Sequence, residues 1–247
     1  MTKNLSSPPR ALRIFLDTLF PITCIGCGAY GAWICARCLR CIPLLNTFVC
    51  PLCEKRPTPF GATCFHCVKN SSIDGLIVAS SYKNILLSRA VHYFKYRFVH
   101  DLSDTLGDLL VRQLLQTTLP LPDALIPVPL YKRRLRWRGF NQAELLADVL
   151  SERITPGLIL PVHTDILLRR HATRPQMKIK NYSERKKNMY NAFLVQNKKM
   201  LKDKNILLVD DITTTGATLF SCASALKKAG AKSVWGIVLA RQELRKI

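Results

Sequence analysis

Apolar and polar positions along the chain fall into an alternation of two periods. Leu12, Phe15, Leu16, Leu19 and Phe20 recur at helical spacing, and Pro21 ends that segment. After a cysteine-rich stretch, "IDGLIVASSY" reads as a strand, and "LLSRAVHYFKYRFVH" and "DLSDTLGDLLVRQLL" read as helices, the second with a stripe at Leu102, Leu106, Leu109 and Leu110. "DALIPVPL" is a short apolar strand punctuated by prolines. Asn141 opens a helix, and Glu144 three residues on suggests a capping box. Leu145, Leu146, Val149, Leu150 and Ile154 form its apolar face. "NILLVDD" starts as an unbroken apolar run, the pattern of a strand covered on both faces. Residues 217–229 follow as a helix stopped by Gly230, and "KSVWGIVLA" is a further buried strand. Strand and helix alternating in this way predict an α/β fold, a parallel sheet flanked by helices, with ligands at the carboxyl ends of its strands.

The cysteines divide the chain. Nine of ten precede position 68, and eight make four C-x-x-C pairs: Cys24/Cys27, Cys35/Cys38, Cys50/Cys53 and Cys64/Cys67. A redox C-x-x-C comes singly, whereas four in succession are the pattern of zinc knuckles closing tetrahedral structural sites. Gly26 and Gly28 suit the sharp bend of a knuckle. Sequential pairing gives Cys24, Cys27, Cys35 and Cys38 around one zinc and Cys50, Cys53, Cys64 and Cys67 around another. Interleaved pairing is the alternative; Cys41 forms an overlapping C-x-x-C with Cys38, and His66 is read as a bystander. The expected division is an N-terminal helix and double zinc ribbon over 1–68, a staple for a segment too small to fold alone, and a larger domain over 69–247.

Composition narrows the partners. Of the 247 residues 48% are apolar, enough for a core, and the net charge is +21. Up to Cys67 the excess is +5, so the remaining +16 belongs to the larger domain and favours anionic partners. No run of 18 apolar residues predicts a membrane span. Asp17 interrupts the N-terminal apolar stretch and no small-residue cleavage site follows, so the expected location is the cytoplasm.

The candidate chemistry lies where "NILLVDDITTTGAT" meets its helix. Amides at a helix N-terminus and the helix dipole favour an anion, threonine hydroxyls add donors, and Gly216 permits close approach. Carboxylates would repel that anion, so Asp210 and Asp211 must face hydroxyls, a divalent metal or both. A phosphorylated ribose with Mg2+ meets every requirement; a plain capped turn in solvent is the bland alternative. Arg133, Arg134, Arg136 and Arg138 add anion-binding guanidinium groups. Cys222, mid-helix, reads as a small core residue.

"LLVDDITTTGAT" resembles the 5-phosphoribosyl-1-pyrophosphate (PRPP) signature of type I phosphoribosyltransferases. With "IPVPLYKRRLRWRGFNQAELLA" and the cysteine-rich N-terminus, the chain resembles the ComF/GntX family, cytoplasmic proteins linked to natural competence. The resemblance implies a type I phosphoribosyltransferase-like fold in which Asp210 and Asp211 meet the ribose hydroxyls, directly or through Mg2+. Thr213, Thr214, Thr215, Gly216, Ala217 and Thr218 would cradle the 5-phosphate. Arg133, Arg134 and Arg138 would serve pyrophosphate, with Asn141 and Gln142 lining the site, although Asn141 also suits a helix cap. Residues 169–193 resemble the basic lid of such enzymes, with Arg170, Thr173, Gln176, Arg185 and Asn188 at polar positions of that pattern; a disordered loop is the alternative. Lys95 and Tyr96 fall in a helix the family places near the ligand, or are a surface lysine beside a core tyrosine. Two functions follow. One is phosphoribosyl transfer to an acceptor the sequence does not identify. The other is PRPP sensing without turnover, in an adaptor for single-stranded DNA or a competence helicase that would use the zinc ribbons and the basic surface, with Tyr131, Trp137, Phe140 and Tyr182 as stacking platforms; ordinary core packing is the alternative for these rings and the favoured reading for Phe140.

Overall fold

The computed structural model describes residues 21–97, 99–170 and 192–242. The N-terminal amphipathic helix expected over residues 12–20 lies outside them. The larger part of the fold is a four-stranded sheet of β1 (Gly75–Ser81), β2 (Ala124–Pro127), β5 (Asn205–Thr213) and β6 (Ser233–Arg241), ordered β1-β6-β5-β2 with every pair parallel. A separate antiparallel hairpin joins β3 (Leu167–Arg169) to β4 (Phe193–Val195). The expected parallel sheet between helical layers is what forms.

Side-chain alternation builds two cores from one sheet. Ile77, Leu207, Val209, Ile237 and Leu239 pack on one face with α3 (Ile85–Tyr96), α4 (Leu102–Leu115) and α6 (Gln142–Arg153). Leu76, Ile206, Leu208 and Val238 pack on the other with α7 (Ala217–Lys228) and the hairpin. Leu106, Leu109 and Leu110 of the predicted stripe are fully buried, as are Leu146 and Leu150. Cys222 is buried in the second core, as a small core residue should be. The capping box forms by half: Asn141 Oδ1 accepts from the Ala143 amide at 3.2 Å, but among the described residues Glu144 returns no bond.

Both sheet edges are covered, which removes a template for unwanted strand pairing. At the β2 edge, the Leu125 amide donates to Pro161 O and the His163 amide to Leu125 O, each at 2.9 Å. At the β1 edge the cysteine-rich segment takes the free positions. The Leu45 amide donates to Ala79 O (3.0 Å), Ser80 Oγ to Pro43 O (2.5 Å), and Thr63 N to Asp74 O (2.8 Å). Two short helices, α1 (Ala36–Arg40) and α2 (Phe65–Val68), complete that segment. The remaining helix, α5 (Lys132–Arg138), follows β2. No helix among the described residues is long and apolar enough to cross a membrane.

Candidate functional site: an acid pair and a threonine turn at the strand end

β5 carries a fully covered apolar run, Ile206–Val209, up to its acidic end. Successive side chains leave a strand on opposite faces, so the two aspartates part company. Asp211 is buried toward the α3 side, where Lys95 Nζ stands 2.8 Å from its Oδ1. Asp210 faces the hairpin side, close enough to Arg169 for each to shift the other's titration. The acids also fold onto their own backbone: Asp210 Oδ1 accepts from the Asp211 amide (2.9 Å), and Asp211 Oδ1 from Ile212 N (2.5 Å). Burial first, and the Asp211 charge second, push the Asp210 carboxyl up to about 7, against the opposing pull of Lys95 and Arg169. A cation beside it would favour its ionised form, and carboxylate oxygens are donors that Mg2+ accepts.

Beyond the acids the chain turns. Thr213 is buried and its carbonyl accepts from Gln242 N at 2.8 Å; Thr214 is exposed and its carbonyl accepts from Arg241 Nε at 3.1 Å. Gly216 occupies the N-cap of α7 at φ 76°, a left-handed conformation that favours glycine, and a Cβ there would meet the Phe220 ring at 2.7 Å. Thr215 Oγ1 accepts weakly from Ala217 N (3.4 Å). Among the described residues no hydrogen bond takes the amides of Thr215, Gly216 or Thr218. Three amides without a partner among the described residues, neighbouring hydroxyls and the positive end of a 12-residue helix are groups that can receive an anion.

The arginines expected near pyrophosphate separate into groups. Arg133, Arg134 and Arg136 are exposed on α5, and Arg134 lies close enough to Arg169 to lower its pKa, the larger cause being burial. Arg138 instead is buried: its Nη1 donates to Gln142 Oε1 (2.9 Å) and its guanidinium lies over Tyr96 at 5.4 Å. Gln142 Nε2 reaches Phe94 O (3.4 Å), and Asn141 Nδ2 donates to Val128 O (3.2 Å). These three side chains tie α5, α6, α3 and the end of β2 together. Arg170 is exposed at the hairpin. Thr173, Gln176, Tyr182, Arg185 and Asn188 lie outside the described residues.

Two contributors were not singled out from the sequence. Arg169 is signalled only by its place one residue beyond an apolar pair, and Arg241 only by ending a buried strand. Lys95 had two descriptions; the ion pair sets it beside Asp211 and not on the open surface.

The eight paired cysteines gather into two tetrads in sequential order, Cys24, Cys27, Cys35 and Cys38, and Cys50, Cys53, Cys64 and Cys67, each with its Sγ atoms within 4.8 Å of one another. Tetrahedral zinc with sulfur at about 2.3 Å requires sulfurs about 3.8 Å apart. Cys27 and Cys35 stand at 3.7 Å, and Cys53 and Cys64 at 3.9 Å. Amides of Cys35 and Cys64 point at Cys24 and Cys50 Sγ (3.4 and 3.3 Å), as amides do toward thiolates. Without a cation such a cluster resists full ionisation. The Lys55 and Arg56 amides lower Cys53 to about 6, while hydrogen bonding to the Cys64 thiol and burial push Cys67 up to about 12. Gly28, at φ 74°, makes the first knuckle's turn. Cys41 belongs to neither tetrad; its Sγ contacts Arg37 O at 3.5 Å. His66 packs on Phe65.

Comparison with known proteins agrees with this layout. The model of the phosphoribosyl transferase domain matches residues 139–246. Competence protein F of Haemophilus influenzae is 33% identical over 212 residues, covering 82% of this chain and 90% of that protein. The DNA utilization protein YhgH of Escherichia coli is 32% identical over 212 residues, covering 83% and 89%. Competence protein ComFC of Bacillus subtilis is 29% identical over 231 residues, covering 84% of each. With cysteine tetrads at one end and a phosphoribosyltransferase-type domain at the other, the chain belongs to the ComF family of competence and DNA-utilization proteins.

Proposed function

We propose that the end of β5 binds PRPP and that the protein acts on the cytoplasmic side in DNA uptake and use. The turn from Thr213 to Thr218 takes the 5-phosphate, and Asp210 and Asp211 take the ribose diol and hold Mg2+. The single observation that carries this reading is the acid pair set directly before a left-handed glycine at a helix N-terminus, with Lys95 on one carboxylate. When bound, Mg2+ supplies positive charge to the ribose and pyrophosphate oxygens. Arg134 and Arg169 face the departing pyrophosphate electrostatically, and Lys95 orients Asp211. Such groups promote loss of pyrophosphate by positioning and charge stabilisation, with no protein nucleophile.

Calorimetry with PRPP and Mg2+ tests binding; heat of binding is expected in the parent and not in Asp211→Ala. Pyrophosphate release, measured over a panel of bases and amines, separates transferase from sensor. Acceptor-dependent release makes the protein a phosphoribosyltransferase, and binding without release makes it a PRPP sensor. No heat with PRPP defeats both.

A second reading, a single-strand or helicase adaptor, is favoured by one surface feature. Tyr96 and Trp137 are exposed with ring centroids 6.1 Å apart, and Arg133, Arg134 and Arg136 extend along the same short helix as Trp137. Rings among cations suit stacked bases and phosphates. Affinity for a single strand that falls steeply with salt, and about tenfold further in Trp137→Ala, supports it; salt-insensitive or absent binding removes it.

A further inference from the structure

Arg241, the last residue of β6, joins two parts of the molecule that the proposed function treats separately. Its side chain is 14% exposed. Nε donates to Thr214 O at 3.1 Å, on the threonine turn. Nη1 donates to Pro51 O at 3.1 Å, between the two cysteines of a knuckle, and Nη2 meets Glu54 Oε1 at 2.6 Å. Glu54 is itself set by that knuckle, its amide donating to Cys50 O at 2.9 Å in a left-handed conformation. One guanidinium thus bonds the knuckle that carries Cys50 and Cys53 with two of its arms and the threonine turn with the third.

The consequence lies in peptide geometry. A trans peptide is planar, so the Thr214 carbonyl and the Thr215 amide point in opposite directions. By holding the carbonyl, Arg241 aims the Thr215 amide the other way, and among the described residues no protein group claims that amide. The fork leaves little rotational freedom, so a shift of the knuckle moves the peptide plane.

We propose that Arg241 is a positioning residue through which the metal at Cys50, Cys53, Cys64 and Cys67 and a phosphate on the threonine turn strengthen each other's binding. The proposal rests on the turn being a phosphate site. Coupling between two sites is reciprocal, so it is measurable from either end. The tetrad at Cys24, Cys27, Cys35 and Cys38 has no such link through Arg241 and serves as internal control.

The test uses the zinc-loaded full chain and ribose 5-phosphate, without Mg2+ so that a chelator competes for zinc alone. Saturating ribose 5-phosphate is expected to tighten one of the two zinc ions about tenfold in chelator competition. Alkylation mapping by mass spectrometry is expected to show protection of Cys53 and Cys67 and unchanged labelling of Cys27 and Cys35. Arg241→Gln weakens ribose 5-phosphate about tenfold and abolishes the zinc effect, and Arg241→Lys, which keeps the charge without the fork, does not restore it. Should Arg241 variants fail to fold, Glu54→Ala carries the test, since that carboxylate is 53% exposed and remote from the phosphate. It should lose part of the coupling, and Glu54→Gln, which still accepts a hydrogen bond, should recover it. Binding of ribose 5-phosphate with unchanged zinc affinity, or equal tightening of both ions, overturns the coupling and leaves the phosphate site standing. No binding by the parent chain defeats the phosphate reading and the coupling with it.

Discussion

Lys95 Nζ lies 2.8 Å from Asp211 Oδ1, both side chains largely shielded from water. Removing either partner leaves a shielded charge alone, and removing both does not. Lys95→Met should therefore cost about 1–3 kcal/mol of stability, Asp211→Asn less, and the double variant less than the sum of the two. Urea unfolding of the four proteins checks this cycle. PRPP affinity should fall in all three variants, because Asp211 takes the ribose and Lys95 orients Asp211.

Asp210 makes a prediction whose sign follows from its titration. Its folded-state pKa, about 7, lies above the ordinary 3.8 of the unfolded chain. The folded state therefore keeps a proton the unfolded state has lost, and stability falls as pH rises from 4 toward and through 7. Asp210→Asn removes that penalty, so it should stabilise the fold by on the order of 4 kcal/mol at pH 8 and by almost nothing at pH 4. PRPP with Mg2+ needs the ionised acid, so its affinity in the parent should rise between pH 6 and pH 8 with proton release. Melting curves and calorimetry in buffers of different ionisation enthalpy check both halves.

The layered α/β fold was legible because a period of two or an unbroken apolar run marks each long strand and a period near 3.6 marks the helices between. Leu106 and Leu110 declare their helix by spacing alone, and so do Ile206–Val209 their strand. The cysteine tetrads were equally plain, but their grouping was not: spacing permits interleaving, and only the gathering of the Sγ atoms in space decides. The candidate site is legible where it is local in sequence, from Asp210 to Thr218. It was illegible where it is assembled across the fold. Arg169 meets Asp210 from a three-residue strand with almost no periodic signal, and Arg241 bonds Pro51 from 190 residues away. Arg138 misleads for the opposite reason. Written among exposed arginines, it turns inward because Gln142 and Tyr96 give its guanidinium a partner and a ring.

Metal content offers a third prediction. Sequential tetrads predict two zinc ions per chain by elemental analysis, with Cys41→Ser retaining both and Cys27→Ser losing one. Since Cys24 and Cys38 pack in the same core as Ile77 and Leu207, zinc removal should lower the melting temperature of the whole fold and not merely of the ribbon. Structural zinc contributes on the order of 10 kcal/mol in small zinc-folded peptides, so the effect should be several degrees or more. A chelator that strips both ions without moving the melting curve would contradict the shared core.

Gly216→Ala separates backbone strain from steric contact at the turn. The new Cβ must accept a φ of 76°, which costs about 1 kcal/mol for a residue with a side chain, and must clear the Phe220 ring at 2.7 Å. The ring is partly buried and can yield, whereas φ is set by the change of direction from β5 into α7. Phe220→Leu alone should be mild, and combined with Gly216→Ala it should recover the steric part but not the strain. If the turn instead relaxes toward negative φ, the amides of Thr215 and Gly216 no longer converge. Anion affinity then falls much more than stability. Ribose 5-phosphate titrations beside melting curves for the two single variants and the double distinguish these outcomes. Full recovery of both quantities in the double variant would mean that the left-handed conformation does nothing for the cradle.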